Sequence, residues 1–535
     1  MVRLSRSFPL VLAVVLLWVC LAVLLVESLR RTGGHLVYAL DDPYIHMAMA
    51  KNMARHGVWG VSPNEFSASS SSLLWTGTLS GFFFAFGVLE WLPFALNWLL
   101  ATVAVAVTFG YFRDCAPQAP LSYVTGVLLV SAFSTPLPAL VFAGQEHVAH
   151  VILNLTFLVV GARTLTGAVL PEGWKSYRPL IILAPLLTLV RYEGLFAVGL
   201  MAALLFVRRR FLAAAAVAVA GALPVVAYGI AAVGMGWFFL PSSVLLKASR
   251  PDLGTTEGFL RTLGWGVGTL WRIPAVAALF GVALILFASS WRRTFTQVST
   301  LLLALFLALT LAHMQFSQPR SFWLYRYEAY LVSLGVFAVA LALIDFLPLD
   351  SRRHPKAVVA LAYGSLILAF LASPLAIRAL GGVRRIPRAT ANIYEQSYQV
   401  GRFVRSYYSG SSVALSDIGA VTFLADVHCL DLIGLASLDV ATRRLHGDFF
   451  QDDIEDAARS RGTRIAIVHD YRFQGARSLP RGWLRAGTWT IRDRVVVAAA
   501  TVSFYATTAE ELPALTRHLR EFAAELPDRV SYAVD

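Results

Sequence analysis

The chain has 535 residues, of which 57% are hydrophobic and 14% are charged, and its mean hydropathy is +0.65. This composition excludes an ordinary soluble enzyme and indicates a polytopic membrane protein. The net charge of +13 does not require a nucleic-acid partner, because residues 381–535 contain 19 Arg and no Lys against 18 acidic residues. The other +12 lies in the apolar part, mostly in short loops, as is typical of cytoplasmic loops in membrane proteins.

Apolar runs of membrane-spanning length recur from the first residues onward. The first run follows Arg3 and Arg6 and shows no small-residue cleavage site, so we interpret it as a retained anchor. The fifth and sixth runs have only about a dozen residues each, which is short for an unaided span. In all we predict about eleven spans, near residues 8–27, 91–112, 121–143, 147–162, 179–190, 194–207, 211–233, 273–290, 298–314, 329–347 and 357–377.

The basic loops predict the orientation of these spans. If the N-terminus is cytoplasmic, every basic loop falls on the cytoplasmic side. These loops contain Arg163, Lys175, Arg178, Arg208, Arg209, Arg210, Arg292, Arg293, Arg352, Arg353 and Lys356. Residues 73–88 would break the parity if they crossed, so we predict that this Gly-, Ser- and Thr-rich segment is a helix dipping into the outer leaflet.

The hydropathy falls after residue 380, and a different pattern begins. The stretches SSVALSD, TRIAIVHD and VVVAAATVSFYA are typical of strands, and a helical pattern occupies residues 509–526. We therefore predict a membrane domain at residues 1–380 and a small extracytoplasmic α/β domain at residues 381–535. Asp417 either caps the helix that follows SSVALSD or belongs to a turn that faces the membrane site and helps to bind the acceptor.

Two adjacent aspartates follow the first span, in the stretch YALDDPYIHMAMA. One aspartate before Pro43 is explained by capping of the next helix. Two adjacent carboxylates at a membrane surface repel each other, so Asp41 and Asp42 are candidates for a function. His46 lies one turn beyond Asp42 and could pair with it or share a metal ion with it, the hydrogen-bonded pair being the simpler arrangement.

Further ionisable residues occur at the outer ends of spans. Glu146 opens the fourth span, and Arg191 and Glu193 interrupt the fifth and sixth, where they either form part of a site or only neutralise each other. Lys247, Arg250 and Arg326 place cations on the same side as the aspartates. A cation there can bind a lipid head group nonspecifically, but cations opposite a carboxylate pair favour a bound phosphate. We therefore expect Lys247, Arg250, Arg326 and Arg191 at a phosphate, supported by His46, Glu146, Glu193 and Asp417.

In this order, the motifs DD, KNMARHGVWGVSPNEFSASSSSLLWT, AGQE, RYEG, LPSSVLLK and SDIGAVTFLADVHCLDLIGL resemble those of the GT-C superfamily of glycosyltransferases. The resemblance covers almost the whole chain and is nearest to bacterial members related to mycobacterial arabinofuranosyltransferases. It implies an all-α polytopic fold and a polyprenyl-phosphate-linked sugar as donor. It also implies that an acidic residue of the first outer loop, Asp41 or Asp42, is the catalytic base.

The predicted activity is therefore transfer of a sugar from a polyprenyl phosphate to a glycan or lipid acceptor, with inversion. Such a reaction needs one carboxylate to accept the proton of the acceptor hydroxyl and cations to stabilise the departing phosphate. A divalent metal held by Asp42 and His46 is one way to assist the phosphate. The alternatives are transfer to protein and, in other functional classes, a lipid or solute transporter or a glycan-binding scaffold.

Overall fold

The computed structural model describes residues 6–167, 173–247, 254–316, 323–346 and 355–535. Its N-terminal part consists of helices. These helices are α1 (Phe8–Arg31), α2 (Asp42–His56), α3 (Leu73–Phe86), α4 (Leu92–Cys115), α5 (Leu121–Ser134), α6 (Leu137–Ala143), α7 (His147–Leu165), α8 (Arg178–Val190), α9 (Gly194–Val207), α10 (Phe211–Gly234), α11 (Ser242–Lys247), α12 (Thr256–Trp271), α13 (Pro274–Ser290), α14 (Val298–Phe316), α15 (Ala329–Phe346) and α16 (Pro355–Ile393).

Eight helical segments in the described residues are long and apolar enough to cross a membrane, and three shorter apolar helices accompany them. Each predicted span coincides with a helix or, near residues 121–143, with the pair α5 and α6. The two short spans are α8 and α9, and the chain breaks between them at Arg191, whose backbone is extended. The predicted polytopic helical fold is thus confirmed.

Helix α2 starts directly beside the aspartate pair. Asp41 occupies its N-cap position, Pro43 lies in its first turn, and Gly57 ends it in the left-handed region at φ 69°. The Pro fits there because the first helical N–H groups have no partner within the helix, and the Gly tolerates positive φ without a steric penalty. Helix α2 packs against α3, which is the predicted dipping helix, and against a helix of the C-terminal domain.

Helix α12 was not predicted from the sequence. Its N-cap Thr255 accepts a hydrogen bond from Gly258 N at 2.9 Å. One face is apolar and exposed, with Leu260, Val267 and Trp271 more than 40% exposed. An uninterrupted apolar run is the signal for a span, and the polar residues of an amphipathic helix remove that signal.

The C-terminal domain is a mixed sheet with helices on it. Its helices are α17 (Gln399–Tyr407), α18 (Gly419–Leu424), α19 (Leu438–His446), α20 (Gln451–Ser460) and α21 (Leu512–Phe522), and its strands are β1 (Ser412–Leu415), β2 (His428–Asp431), β3 (Ile465–Val468), β4 (Leu484–Ile491), β5 (Thr501–Ala506) and β6 (Val530–Val534). The strand order is β2-β1-β3-β5-β4-β6. Strands β2, β1 and β3 are parallel, and the other pairs are antiparallel.

The C-terminal domain docks on helix α2 through α18. Lys51 of α2 donates from Nζ to the carbonyl oxygens of Thr422 and Phe423, at 3.1 and 2.8 Å, and to Asp426 Oδ1 at 2.8 Å. A cation at the C-terminal end of a helix is favourable because the last carbonyl groups have no partner within the helix. Helix α16 continues through residue 380, so the domain boundary at that residue stays a prediction.

Candidate functional site

A cavity of about 470 Å³ lies between the membrane helices and the C-terminal domain. Its lining includes apolar side chains, namely Ile45, Leu195, Phe196, Leu240, Val244, Leu245, Phe316 and Leu435. It also includes polar side chains, namely Asp42, His46, Ser69, Ser71, Gln145, His147, Arg191, Tyr192, Glu193, Ser243, Lys247, His313, Arg326 and Tyr327. A lining with both kinds of side chain suits a ligand that has an apolar tail and a polar head.

Asp42 lies between two cations in this cavity. Arg326 donates to Asp42 Oδ2, and Lys247 Nζ lies 3.4 Å from Asp42 Oδ1. The Arg326 side chain is only 2% exposed and also donates to Gln145 and, at 3.0 Å, to the hydroxyl of Tyr327. Two cations against one carboxylate leave a positive charge at the cavity wall, which favours an anionic ligand.

Asp41 points to the C-terminal domain instead of the cavity. Although it occupies the N-cap position of α2, its side chain makes no capping hydrogen bond there. Its two carboxylate oxygens accept from the backbone N–H groups of Gly419 at 2.7 Å and Ala420 at 2.9 Å. These are the first N–H groups of α18, so the carboxylate of α2 caps a helix 378 residues away in sequence. Capping of its own helix therefore does not explain Asp41.

The two aspartates have opposite pKa shifts. Burial, and next the neighbouring Asp417 carboxylate, raise the pKa of Asp41 to about 7, although the N–H groups of Ala420 and Gly419 act in the other direction. Burial also raises the pKa of Asp42, but the charges of Lys247 and Arg326 outweigh it and hold the pKa below its ordinary range. Near neutral pH, Asp42 is therefore ionised, and Asp41 exchanges a proton readily.

Glu146, Arg191 and Glu193 form one ionic cluster at the ends of α7 and α9. Arg191 donates to Glu146 Oε1 at 2.6 Å and, through two nitrogens, to Glu193 at 2.6 and 3.1 Å. Arg191 is thus compensated by two carboxylates, so it offers no free charge to a phosphate. The turn that presents Glu146 requires Gly144, since its φ is +64° and a Cβ there would lie 2.4 Å from the Tyr38 ring.

The predicted hydrogen bond between Asp42 and His46 is wrong for the described structure. His46 Nδ1 lies 2.8 Å from Thr76 Oγ1, and His46 Nε2 lies 3.7 Å from Glu146 Oε2. Helical spacing brings Asp42 and His46 to one side of α2, but α3 and α7 supply the partners of the ring and Arg326 takes the carboxylate. Burial lowers the pKa of His46, which favours the neutral ring.

The residues proposed for a metal do not form a ligand set. Within the ranges that the structure describes, no group of three or more His, Cys, Asp or Glu side chains is placed to hold a metal ion. Asp42 is occupied by cations, and His46 is occupied by Thr76 and faces Glu146. Because the predicted Asp42 and His46 pair does not fit a metal, no step of the chemistry below involves one.

Asp417 reaches the same region from the C-terminal domain. It does not cap α18; its carboxylate lies 3.3 Å from Arg472 NH2 and 3.8 Å from His469 Nδ1.

Arg250, expected at the phosphate, lies outside the described residues. Two residues of this region were not predicted from the sequence: Lys51, which is one of only four lysines in the chain, and Tyr327, which lies beside Arg326.

Several buried polar atoms in the cavity wall have no hydrogen-bond partner among the described residues. They are His147 Nε2, Tyr192 Oη, Ser243 Oγ, His313 Nε2 and Arg326 Nε. A buried polar atom without a partner is costly, and such atoms are rare in folded proteins. A polar ligand group in the cavity would offer partners to these five atoms.

The fold of the chain is similar to that of solved structures. ArnT from Cupriavidus metallidurans bound to undecaprenyl phosphate is 13% identical and has a TM-score of 0.52, with 95% of this chain and 99% of that chain covered. The chain has a GT-C-like fold. The archaeal oligosaccharyltransferase AglB from Archaeoglobus fulgidus, in complex with an inhibitory peptide and a dolichol-phosphate, is 12% identical with a TM-score of 0.48, covering 92% of this chain and 74% of that chain.

Sequence comparisons add little to this likeness. A family model described as "Domain of unknown function (DUF8728)" matches residues 391–505, which is most of the sheet domain. No curated protein sequence matches the chain. The GT-C-like fold that the sequence resemblance predicted is confirmed, and the relation to mycobacterial arabinofuranosyltransferases stays a prediction.

Proposed function

We propose that the protein is a membrane glycosyltransferase that moves a sugar from a polyprenyl-phosphate donor to a glycan or lipid acceptor. The observation that carries the proposal is the pair of cations, Lys247 and Arg326, held by Asp42 in a cavity lined by both apolar and polar side chains. The phosphate would replace part of the Asp42 contact, and the polyprenyl tail would contact the apolar side chains. Arg191 is left out of this phosphate site because two carboxylates already compensate it.

Asp41 is the proposed base. Asp41 is next to Asp42, which lines the cavity, and the Asp41 carboxylate faces the C-terminal domain. Asp41 therefore lies between the donor site and the domain proposed to bind the acceptor. A general base works best when its pKa is near the working pH, and the pKa of Asp41 is about 7. The bonds from Gly419 and Ala420 use one lone pair of each oxygen, and a carboxylate has further lone pairs for the acceptor hydroxyl.

The proposed reaction is a single displacement at the anomeric carbon. Asp41 takes the proton of the acceptor hydroxyl, whose oxygen forms a bond to the anomeric carbon. The bond from that carbon to the phosphate oxygen breaks, and its electron pair leaves with the lipid phosphate. Lys247 and Arg326 stabilise the added negative charge, and attack from the opposite face inverts the anomeric configuration.

The proposed topology places the N-terminus in the cytoplasm and residues 381–535 outside. Support comes from the basic loops, which then all lie on the cytoplasmic side. In this orientation the aspartates, Lys247 and Arg326 share the extracytoplasmic face, where a lipid-linked sugar and an envelope glycan meet. A bacterial inner or plasma membrane is the proposed location.

The direct test is turnover of purified protein in lipid nanodiscs with a panel of polyprenyl-phosphate sugars and glycan, lipid and peptide acceptors. Release of polyprenyl phosphate together with a glycosylated product supports the proposal, and the acceptor that reacts distinguishes glycan or lipid transfer from protein transfer. Movement of the lipid between leaflets without sugar transfer would favour a transporter. Binding of glycan without either reaction would favour a scaffold.

A further inference from the structure

The parallel strands of the C-terminal domain end beside two half-buried arginines. Arg472 NH1 donates to the carbonyl of Ser416, directly after β1, at 3.1 Å. Arg444 NH1 donates to the carbonyl of Leu432, directly after β2, at 3.2 Å. Leu415 of β1 is in register with Asp431 of β2, so the two carbonyls lie at the same end of the sheet, and each holds one guanidinium group there. The ends of parallel strands are a common location for ligands.

A third arginine adds to this charge. Arg477 follows closely after Arg472, is exposed, and has no hydrogen-bonded or ionic side-chain partner within the described part of the chain. Burial, and next the nearby Arg477 charge, lower the pKa of Arg444, although an arginine stays protonated at physiological pH. Arg444, Arg472 and Arg477 are called the strand-end arginines below.

Two carboxylates, Asp417 and Asp431, act on this cluster, so the three arginines retain one positive charge. Asp417 is shared between Arg472 and His469. Asp431 is fully buried, and its oxygens accept from the backbone N–H groups of Ile433 at 2.8 Å and Ala436 at 2.9 Å. Asp470 faces the other way, where it accepts from the hydroxyls of Ser503 and Tyr505. Neither Arg444 nor Arg477 forms an ion pair among the residues described.

The cluster adjoins an exposed aromatic ring. Tyr471 is 52% exposed, its hydroxyl accepts from Arg472 Nε at 3.1 Å, and the Arg472 guanidinium lies 5.8 Å from the ring centre. An exposed ring provides an apolar face with a polar edge, which suits a sugar ring. Cations and an aromatic face together suit an acidic sugar better than a free inorganic ion.

The strand-end arginines are also close to the cavity. The loop after β2 contains Leu432, whose carbonyl binds Arg444, and Leu435, which lines the cavity. Three residues of chain span at most about 11 Å. The carbonyl of Leu435 accepts from Ser69 at 2.8 Å and also from Ser242, so the loop is fixed against the membrane helices.

We infer that the strand-end arginines, with Tyr471, bind the anionic group of an acidic glycan acceptor, either a carboxylate or a phosphate. That this glycan is the acceptor of the reaction rests on the proposed function. The acidic group is held at the ends of β1 and β2 while a hydroxyl of the same glycan reaches Asp41. The sugar to be transferred occupies the cavity on the other side.

The test is equilibrium binding to the full chain in nanodiscs, measured by calorimetry without any donor, so that it does not depend on turnover. The probes are methyl glucuronide, inorganic phosphate and methyl glucoside. We expect the glucuronide, phosphate or both to bind, and the glucoside to bind much more weakly. Phosphate can also bind at Lys247 and Arg326, so the group recognised by the strand-end arginines is the anion whose binding the strand-end double variant weakens. The double variant Arg444→Gln, Arg477→Gln should weaken anion binding about tenfold or more, since hydrogen bonds to charged groups are lost.

Two comparison variants make the result decisive. Arg517→Gln, Arg520→Gln removes two exposed arginines of α21 and should leave anion binding unchanged. Lys247→Ala removes a cation of the cavity and should also leave glucuronide binding unchanged. The inference is overturned if the glucoside binds as tightly as the glucuronide, if neither anion binds, or if Lys247→Ala rather than the strand-end double variant abolishes binding. If the anions do not bind, the glycosyltransferase proposal is not affected, because the turnover assay tests it separately.

Discussion

Substitution of Gly419 by Ala tests the contact between Asp41 and the C-terminal domain. A Cβ at this position would lie 2.1 Å from the Asp41 carbonyl oxygen and 2.7 Å from its Oδ2. The φ of Gly419 is not in the left-handed region, so the effect of Gly419→Ala comes from this contact alone. Because the obstructing atom is backbone, α18 must move away by about 1 Å to reach an ordinary contact distance.

That movement breaks the hydrogen bonds of 2.7 and 2.9 Å to the Asp41 carboxylate. A hydrogen bond to a charged group contributes about 1.5–3 kcal/mol, so the two together stabilise the contact by about 3–6 kcal/mol before any relaxation. A displacement of about 1 Å near reacting groups lowers turnover by about a hundredfold. Gly419→Ala is therefore expected to lower the unfolding temperature of the full chain and to reduce turnover by about that factor.

The measurements are thermal unfolding and turnover of the variant in nanodiscs. Gly482→Ala is the matched control, since Gly482 lies in the same domain and a Cβ there meets no atom within 4 Å. We expect the control to change the free energy of unfolding by less than about 0.5 kcal/mol. Wild-type turnover and unfolding temperature in Gly419→Ala would show that the contact between Asp41 and α18 does not form.

Three further predictions concern the base, the phosphate and the topology. Because a base acts only when deprotonated and the pKa of Asp41 is about 7, kcat/KM should rise with pH, with the midpoint of the rise near pH 7. Asp417→Asn removes a like charge and should move this midpoint to lower pH, and an unmoved midpoint would contradict the assignment. Lys247→Ala and Arg326→Ala should each weaken donor binding about tenfold or more. The control Arg261→Ala removes an exposed cation and should leave donor binding unchanged. Unchanged donor binding in both Lys247→Ala and Arg326→Ala would favour general lipid contact. Reporter fusions at Arg210 and Lys356 should report the cytoplasm and a fusion at Asp535 the outside, and a cytoplasmic Asp535 would exclude the shared outer site.

The membrane helices were predictable because their signal is local. A run of about twenty apolar residues is sufficient to identify a span, and the break between α8 and α9 was visible as the polar residues Arg191 and Glu193. In the C-terminal domain, β1, β3 and β5 were found because they are apolar. Strand β2 was missed because it has four residues with two polar ends, His428 and Asp431.

The contacts within the site were less predictable because they join distant parts of the chain. Spacing along α2 placed Asp42 and His46 on one side correctly, but it contains no information on Arg326, Thr76 or Glu146, which become their partners. The adjacent aspartates were identified as candidates from their charge alone. Their division between the cavity and α18 follows from the docking of the C-terminal domain, which no local pattern encodes.

The most direct test of the central proposal compares turnover and donor binding in Asp41→Asn and Asp426→Asn. Asp426 pairs with Lys51 on the same face of the docked domain, so its substitution weakens docking without removing the proposed base. We expect Asp41→Asn to lower turnover by about a hundredfold or more while donor binding persists, and Asp426→Asn to keep most of the turnover. Near-normal turnover in correctly inserted Asp41→Asn would contradict catalysis by this residue, and near-normal turnover in Asp42→Asn as well would exclude the aspartate pair from the chemistry.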